Sequence, residues 1–499
     1  MAISRRALLQ GATAAAATFV AEPRLLASET GRFINPLKIP PLFESSASPE
    51  GKTFDLRIAA GRSEFLPEFS TPTLGINGTY LGPTIRCRAG DRVTLRVKNA
   101  LEERTALHWH GLHIPARFDG GPHQVVEPGA VWEPSFEIKQ KASLCWYHSH
   151  LMGRTGEQIL RGLAGLFLIE DDESRSLRLP SEYGVDDIPL VIQDRRFNRD
   201  GRFDYLSSMP DAMMGYKGNI ILVNGTVDPH LVLRRQRTRL RILNGSNSRI
   251  YTLGRDDGVE LVIVGSDGSL LERPVRQRRV RVGPGERIEL LVDAQPERNI
   301  RLMSYPDPVA ASGMGPGMMM GGMVGNTETF PIIEVRAGRL ETSDLALPER
   351  LIRVPSWTEA QAKTTRTFSL DMGMMGMGRM MGRGRMAGMM GINGRSMDMD
   401  RIDVHVPLGN IEIWEIVNPT PLTHPFHIHD IQFRVLDRDG EPPLPHEHGL
   451  KDTVLVNPGS AVRVITQFAD FADPKRPYMY HCHNLEHEDA GMMGQFVVV

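Results

Sequence analysis

The sequence predicts an all-β chain built as three β-sandwich domains, and three observations support this. Short alternating or β-branched strands broken by Gly, Pro, Asn and Asp dominate, with little sustained helical periodicity. An Asn-Gly pair stands just before a strand three times, at Asn77-Gly78, Asn224-Gly225 and Asn393-Gly394. Each copy then runs into a strand ending in asparagine (Asn99, Asn244, Asn418) and later a Pro-Gly turn (Pro128-Gly129, Pro284-Gly285, Pro458-Gly459). Self-similarity at this scale marks an internal repeat. The expected domain limits are 30–172, 185–336 and 345–499.

Copies one and three also match at their ends. Trp146-Tyr147-His148-Ser149-His150 parallels Met479-Tyr480-His481-Cys482-His483, and Gly165-Leu166-Phe167 parallels Gly494-Gln495-Phe496. The second copy carries Ser304-Tyr305-Pro306 at that place and no histidine pair. Metal is therefore expected at the contact of the first and third domains, with the middle one a spacer.

At 499 residues and 41% hydrophobic composition the chain can bury several cores. A net charge of -2 gives no reason to expect nucleic acid as a partner. No apolar run reaches the ~20 residues a membrane span needs. Residues 1–29 read as a twin-arginine export signal, with Arg5-Arg6 ahead of a short alanine-rich apolar run. The expected destination is the bacterial periplasm or the outside of the cell; a disordered basic tail is the plainer alternative. Of three cysteines, Cys87 and Cys145 either form one disulfide or stay as buried thiols, and the thiols are favoured. Two low-complexity tracts, 313–325 and 372–390, help place 17 of the 25 methionines between Met303 and Met399. Such tracts cannot pack a core alone, but they supply soft thioethers suited to Cu(I). An insertion without a role is the alternative.

Ten of sixteen histidines fall into four clusters: His108-Trp109-His110, His148-Ser149-His150, His424/His427/His429 and His481/His483/His487. On a strand, side chains alternate faces, so Cys482 points one way while His481 and His483 point the other. A thiolate, two imidazoles and a weak thioether make the ligand set of an electron-transfer copper. Cys482, His424, His487 and Met492 supply it. The eight histidines left over are the number that gives two coppers three imidazoles each and a third copper two. Zinc fits poorly, for want of Cys-x-x-Cys pairs or a carboxylate-bearing catalytic motif. The unclustered His113, His123, His230, His405, His446 and His448 are expected to be surface or hydrogen-bonding residues. His446 and His448, in a Pro-rich loop, could also edge a substrate site.

These four motifs, in this order, resemble the copper-binding motifs of multicopper oxidases over nearly the whole mature chain. With the export signal and methionine tracts, the chain is most similar to the bacterial periplasmic copper-efflux (cuprous) oxidases and bacterial laccases. The resemblance implies three cupredoxin-like Greek-key domains and four copper ions. It puts type 1 copper on His424, Cys482, His487 and Met492, and type 2 on His108 and His427. His110 and His148 fall on one type 3 copper, and His150, His429, His481 and His483 complete the trinuclear cluster. It also implies four one-electron oxidations, of Cu(I) or of phenols and aromatic amines, coupled to reduction of O2 to water. Copper tolerance is the expected role and a monomer the expected state. Cys482 is the electron conduit, and Asp119 and Glu488 match carboxylates implicated in proton supply; an ordinary turn or surface carboxylate is the alternative for each.

One departure bears on substrate. Where the efflux oxidases carry an acidic residue and a methionine before the His-Pro-Phe-His motif, this chain has Thr420 and Leu422. Asp371, Met397, Asp398 and Met399 could substitute. A laccase-like phenol oxidase without a cuprous role is therefore the leading alternative. A non-enzymatic copper binder is another, and a copper-free envelope-assembly protein should lack several ligands that this chain keeps. Copper nitrite reductases are normally two-domain and do not use this His-Cys-His wiring.

Overall fold

The computed structural model describes residues 33–48, 51–309, 327–342, 346–373 and 390–499. The export-signal segment and almost all of both methionine tracts lie outside the described residues. Six sheets form the described chain, and the all-β sandwich architecture expected from the strand pattern is what they build. Large apolar cores occupy the three repeats, the first around Phe54, Trp109 and Phe167, the second around Leu240, Ile263 and Leu290, the third around Trp414, Phe426 and Phe496.

The repeated asparagines are structural pins. Asn77, Asn224 and Asn393 each take a positive φ, of 54°, 51° and 54°, which asparagine tolerates better than other non-glycine residues. Each side chain bridges the strand alongside: Oδ1 accepts from the amides of Arg57, Val191 and Ser369, all at 2.7 Å. The strand-ending asparagines repeat a second pattern. Asn99 Nδ2 donates to the carbonyls of Glu103 and Val126, Asn244 Nδ2 to Arg249 and Val282, and Asn418 Nδ2 to Leu422 and Val456. Their own carbonyls accept from Gly129, Gly285 and Gly459 of the Pro-Gly turns. One unit is thus built three times because the same buried backbone groups need the same partners.

Two five-stranded sheets carry the histidine motifs. In the first repeat Ser143–Ser149 lies between Ala164–Glu170 and Leu107–His108, with His148 opposite His108. In the third, Tyr478–Cys482 lies between Met493–Val498 and His424–Ile428, pairing Phe426 with Cys482 and His427 with His481. That register puts His427 and His481 on one face and Cys482 on the other. The strand Asn35–Pro36 runs parallel to Pro229–Arg235 of the middle repeat, so the chain's first described strand joins the middle sheet.

Candidate metal centre

Behind the Tyr478–Cys482 strand, on its core face, three donors converge. His424 Nδ1 lies 3.3 Å from Cys482 Sγ, His487 Nδ1 3.8 Å from it, and the two nitrogens 3.3 Å from each other. All three residues are fully buried. His487 arrives on the short helix Leu485–Asp489, and the amide of Asn484 just before it points at Sγ from 3.4 Å. Met492 is fully buried in the same core as Cys482, its carbonyl accepting from the Cys482 amide at 3.0 Å. Met493 starts the next strand, opposite His481. The outer ring nitrogens are also engaged: His424 Nε2 meets Thr420 Oγ1 at 2.7 Å, and His487 Nε2 meets the Met213 carbonyl at 3.1 Å. Burial holds the His487 ring down at about 4 and pushes the Cys482 thiol up. A neutral imidazole offers its lone pair, whereas the thiol must release its proton to solvent or a base before its sulfur can bind a cation.

Across the strand, all eight remaining clustered histidines gather in one buried volume. His108, His110 and His148 could share a metal, as could His108, His427 and His429, and His150, His429 and His481; in each group the donor atoms lie within 4.8 Å of one another. Ring nitrogens face each other at 3.4 Å for His150 and His481, at 3.2 Å for His429 and His481, and at 3.4 Å for His110 and His148. His108 Nε2, His427 Nε2 and both nitrogens of His483 are buried with no hydrogen-bond partner. Orphaned buried nitrogens are costly, and opposed lone pairs repel. Cations between them would remove both costs, so the donor set fits metal. Burial lowers the rings throughout, His108 to about 3 and His481 to about 4.

Both predicted carboxylates are at this cluster. Asp119 Oδ2 lies 2.8 Å from His429 Nδ1, and its carbonyl oxygen 2.8 Å from His108 Nδ1. Glu488 stands beside two rings, with Oε1 3.4 Å from His150 Nδ1 and Oε2 3.3 Å from His481 Nδ1. Burial, followed by the neighbouring acids Asp430 and Asp489 respectively, raises both carboxyls well above the usual range.

The pattern of donors, with a lone thiol backed by eight histidines across one strand, has an established counterpart. Residues 58–174 and 364–499 match multicopper oxidase family profiles. The multicopper oxidase mco of Staphylococcus aureus is 32% identical over 93% of this chain and 92% of its own length. This chain belongs to the multicopper oxidase family. Among solved structures, the laccase-like multicopper oxidase CueO of Ochrobactrum sp. superposes with a TM-score of 0.82 at 37% identity, covering 93% of this chain and all of that one. A Campylobacter jejuni multicopper oxidase described as a metallo-oxidase gives 0.80 at 30% identity, covering 93% and 95%. The cell division protein FtsP of Escherichia coli is 34% identical over the full length of this chain and 99% of its own.

The middle repeat is not a spacer. Its Arg287 is fully buried and reaches Asp452 at the cluster, its Met213 carbonyl caps His487, and its Gly285 packs against the His483 ring. Glu486, beside His487, accepts from Asn247 Nδ2 at 2.8 Å, the Tyr216 amide at 2.9 Å and the Tyr205 hydroxyl at 3.1 Å, all in the middle repeat. Sequence reading missed Arg287, Asp452, Met213 and Glu486. For Arg287 and Asp452 the available signal was charge at the head of apolar runs, in Arg287-Ile288-Glu289-Leu290 and Lys451-Asp452-Thr453-Val454.

Elsewhere, Cys87 and Cys145 are separate buried thiols, as favoured. Three of the six unclustered histidines make side-chain hydrogen bonds, His113 with Asp430 and Asp470, His123 with Gln495, and His446 with Gln277, while Nδ1 of His230 is buried with no partner among the described residues. His446 therefore leans on the middle repeat. Among the described residues no helix is long and apolar enough to cross a membrane.

Proposed function

We propose that this chain is an oxygen-reducing oxidase that loads four coppers and takes electrons one at a time at its Cys482 site, with Cu(I) as principal reductant and phenols and aromatic amines as secondary ones. The single observation that carries this is Cys482 itself. Its Sγ joins His424 and His487 on one face, while the residues bonded to it in sequence, His481 and His483, enter the cluster on the other. We assign type 1 copper to His424, Cys482, His487 and Met492, and type 2 to His108 and His427. The type 3 pair goes to His110, His148, His150, His429, His481 and His483. Copper in these sites would accept electrons singly and deliver them to bound oxygen. The protein's own contribution is to keep ten rings neutral and aimed, to exclude water by complete burial, and to hold protons at the Asp119 and Glu488 carboxyls next to His429, His150 and His481.

Support for Cu(I) comes from the described ends of the second methionine tract. Met390 is buried in the core that contains Cys482, and Met372 packs against it. The Met397 amide donates to Gly491 at 3.0 Å, one residue before Met492. Asp371 is taken up by the turn at Gly394, and the carbonyls of Asp398 and Met399 accept from Gln495, so Met397 and Met399 are better candidate thioether donors than Asp371 is a carboxylate donor. A phenol-oxidising reading is favoured by Thr420, a neutral partner on His424 that offers no charge to a cation. The Arg5-Arg6 segment supports periplasmic export and a role in copper tolerance, and the three apolar cores support a three-domain division near 30–172, 185–336 and 345–499, with Asn35–Pro36 and the strand Phe330–Glu341 crossing those limits.

The test is oxygen uptake with Cu(I) and, separately, with a dimethoxyphenol, before and after deletion of residues 374–389. The expected result is loss of the Cu(I) rate with the phenol rate kept or raised. Phenol turnover without any Cu(I) turnover would make this a laccase-like enzyme, and copper binding without oxygen use would make it a copper binder.

A further inference from the structure

Most rings of the cluster are anchored through Nδ1 and turn Nε2 inward. Nδ1 is tied to a carbonyl or carboxylate in His108 (Asp119 O, 2.8 Å), His148 (Ser149 O, 2.8 Å), His427 (Asp452 O, 2.8 Å), His429 (Asp119 Oδ2, 2.8 Å) and His481 (Cys482 O, 3.1 Å). His110 is reversed. Its Nε2 sits 3.0 Å from Asp452 Oδ1, and its Nδ1 faces His148 Nε2 at 3.4 Å. A neutral imidazole carries one proton, and the acceptor it meets decides which nitrogen keeps its lone pair for a metal.

Local structure explains the reversal. The strand Leu107–His108 ends before His110, so pleat alternation does not set this ring's direction. The following residue, Gly111, takes φ +86°, and a Cβ there would lie 2.7 Å from both Arg287 Nη2 and Asp452 Oδ2. Only glycine gives both the backbone turn and the room. Arg287 in turn uses all five of its donors. Nε donates to Leu144 O of the first repeat (2.8 Å), Nη1 to Gly285 O (2.9 Å) and Asp452 Oδ1 (2.7 Å), and Nη2 to Asp267 O (3.1 Å) and Asp452 Oδ2. Thr453 Oγ1 adds a bond to Asp452 Oδ1 at 2.9 Å. The carboxylate is thus fixed from three repeats before it meets His110.

We infer that Asp452, clamped by Arg287 of the middle repeat, is the positioning residue that keeps the proton of His110 on Nε2 and turns its Nδ1 into the cluster. Asp452 lies within ligand distance of His110 and His427, yet both its oxygens are committed to Arg287, so it orients a ligand and is not one. This rests on the copper reading proposed above, which assigns His110 to the cluster.

Two measurements test it. Copper affinity of the cluster is titrated with a competing chelator in the wild type, Asp452→Leu and Asp452→Asn, while the blue band reports the Cys482 site. The Leu variant, which leaves His110 Nε2 only the Thr453 hydroxyl at 3.3 Å, should lose about 10–100-fold in cluster affinity with the blue band kept. The Asn variant, whose Oδ1 still accepts from Nε2, should lose much less. Equal losses in both variants, or none in Leu, would overturn the inference. Should the Leu variant not fold, nitrogen NMR of histidine-labelled wild type in its reduced, diamagnetic, copper-loaded form decides the matter. A proton on His110 Nε2 is expected, and one on Nδ1 sinks the proposal. Failure of the copper reading itself would show separately, as a wild type that loads no cluster copper.

Discussion

The Cys482 site takes every candidate ligand from residues 424–492 of a single repeat, whereas the histidine cluster takes four rings from the first repeat, four from the third and a guanidinium clamp from the middle. The first is a product of local folding: one strand pair, one short helix and one following residue bring its donors together. The second exists only when three domains are docked. Its outer shell is a buried network, in which removing one partner leaves an uncompensated charge and costs about 3–5 kcal/mol. On the proposed function, electron acceptance would therefore survive changes that destroy oxygen reduction.

The largest test of this asymmetry is Cys482→Ser. It should abolish the blue absorption and oxygen uptake together while the cluster keeps its metal, so that copper analysis finds one ion fewer per chain. A cluster emptied by the same change would mean that the two sites are assembled as one. Next come Asp119→Asn and Glu488→Gln, which touch only the cluster side. Each should lower kcat by about 10²–10⁴-fold, the usual contribution of a positioned proton donor, with the blue band unmoved in the visible spectrum. Met492→Leu acts on the other side alone. It should raise the potential of the Cys482 site in a redox titration and leave the colour; an unchanged potential would remove Met492 from the ligand set.

The smallest effect concerns the docking that only the cluster needs. His113 of the first repeat lies between two carboxylates of the third, with Nδ1 2.9 Å from Asp430 and Nε2 3.2 Å from Asp470, which also pairs with Lys139 at 3.1 Å. Burial alone would lower this imidazole, but the Asp430 and Asp470 carboxylates outweigh it and raise it to about 9. A histidine raised on folding stabilises fully below its unfolded value of ~6.5 and loses that contribution as pH climbs through about 9. The melting temperature of the wild type should fall by a few degrees across that window, and His113→Gln should flatten the decline. Over the same window the cluster should release copper before the Cys482 site bleaches.

The threefold plan was legible because its pins are local. Asn77, Asn224 and Asn393 sit in turns that need a positive φ, and Asn99, Asn244 and Asn418 each satisfy one carbonyl four or five residues away and a second one further along the same repeat. The gathering of candidate donors was legible for a related reason: in Tyr478–Cys482 and His424–Ile428, strand alternation alone separates Cys482 and His424 from His481 and His427. His110 shows where that logic stops, since it lies past a strand end and its orientation depends on a residue 342 positions away. The middle repeat reads as bland because it has no histidine pair, yet Arg287 and the Met213 carbonyl come from it. Thr420 was noticed only as a missing acid, and its hydroxyl proves to be the partner of His424.

The amino-acid order by itself determined the repeat, the β class and the two faces of the His-Cys-His strand, because turns, pleats and short spacings are set by neighbouring residues. Only the tertiary structure decided which ring nitrogen each histidine turns into the cluster and which domain holds it there. Those choices are made by hydrogen bonds and buried charges between segments hundreds of residues apart, and nothing in either segment alone contains the distance between them.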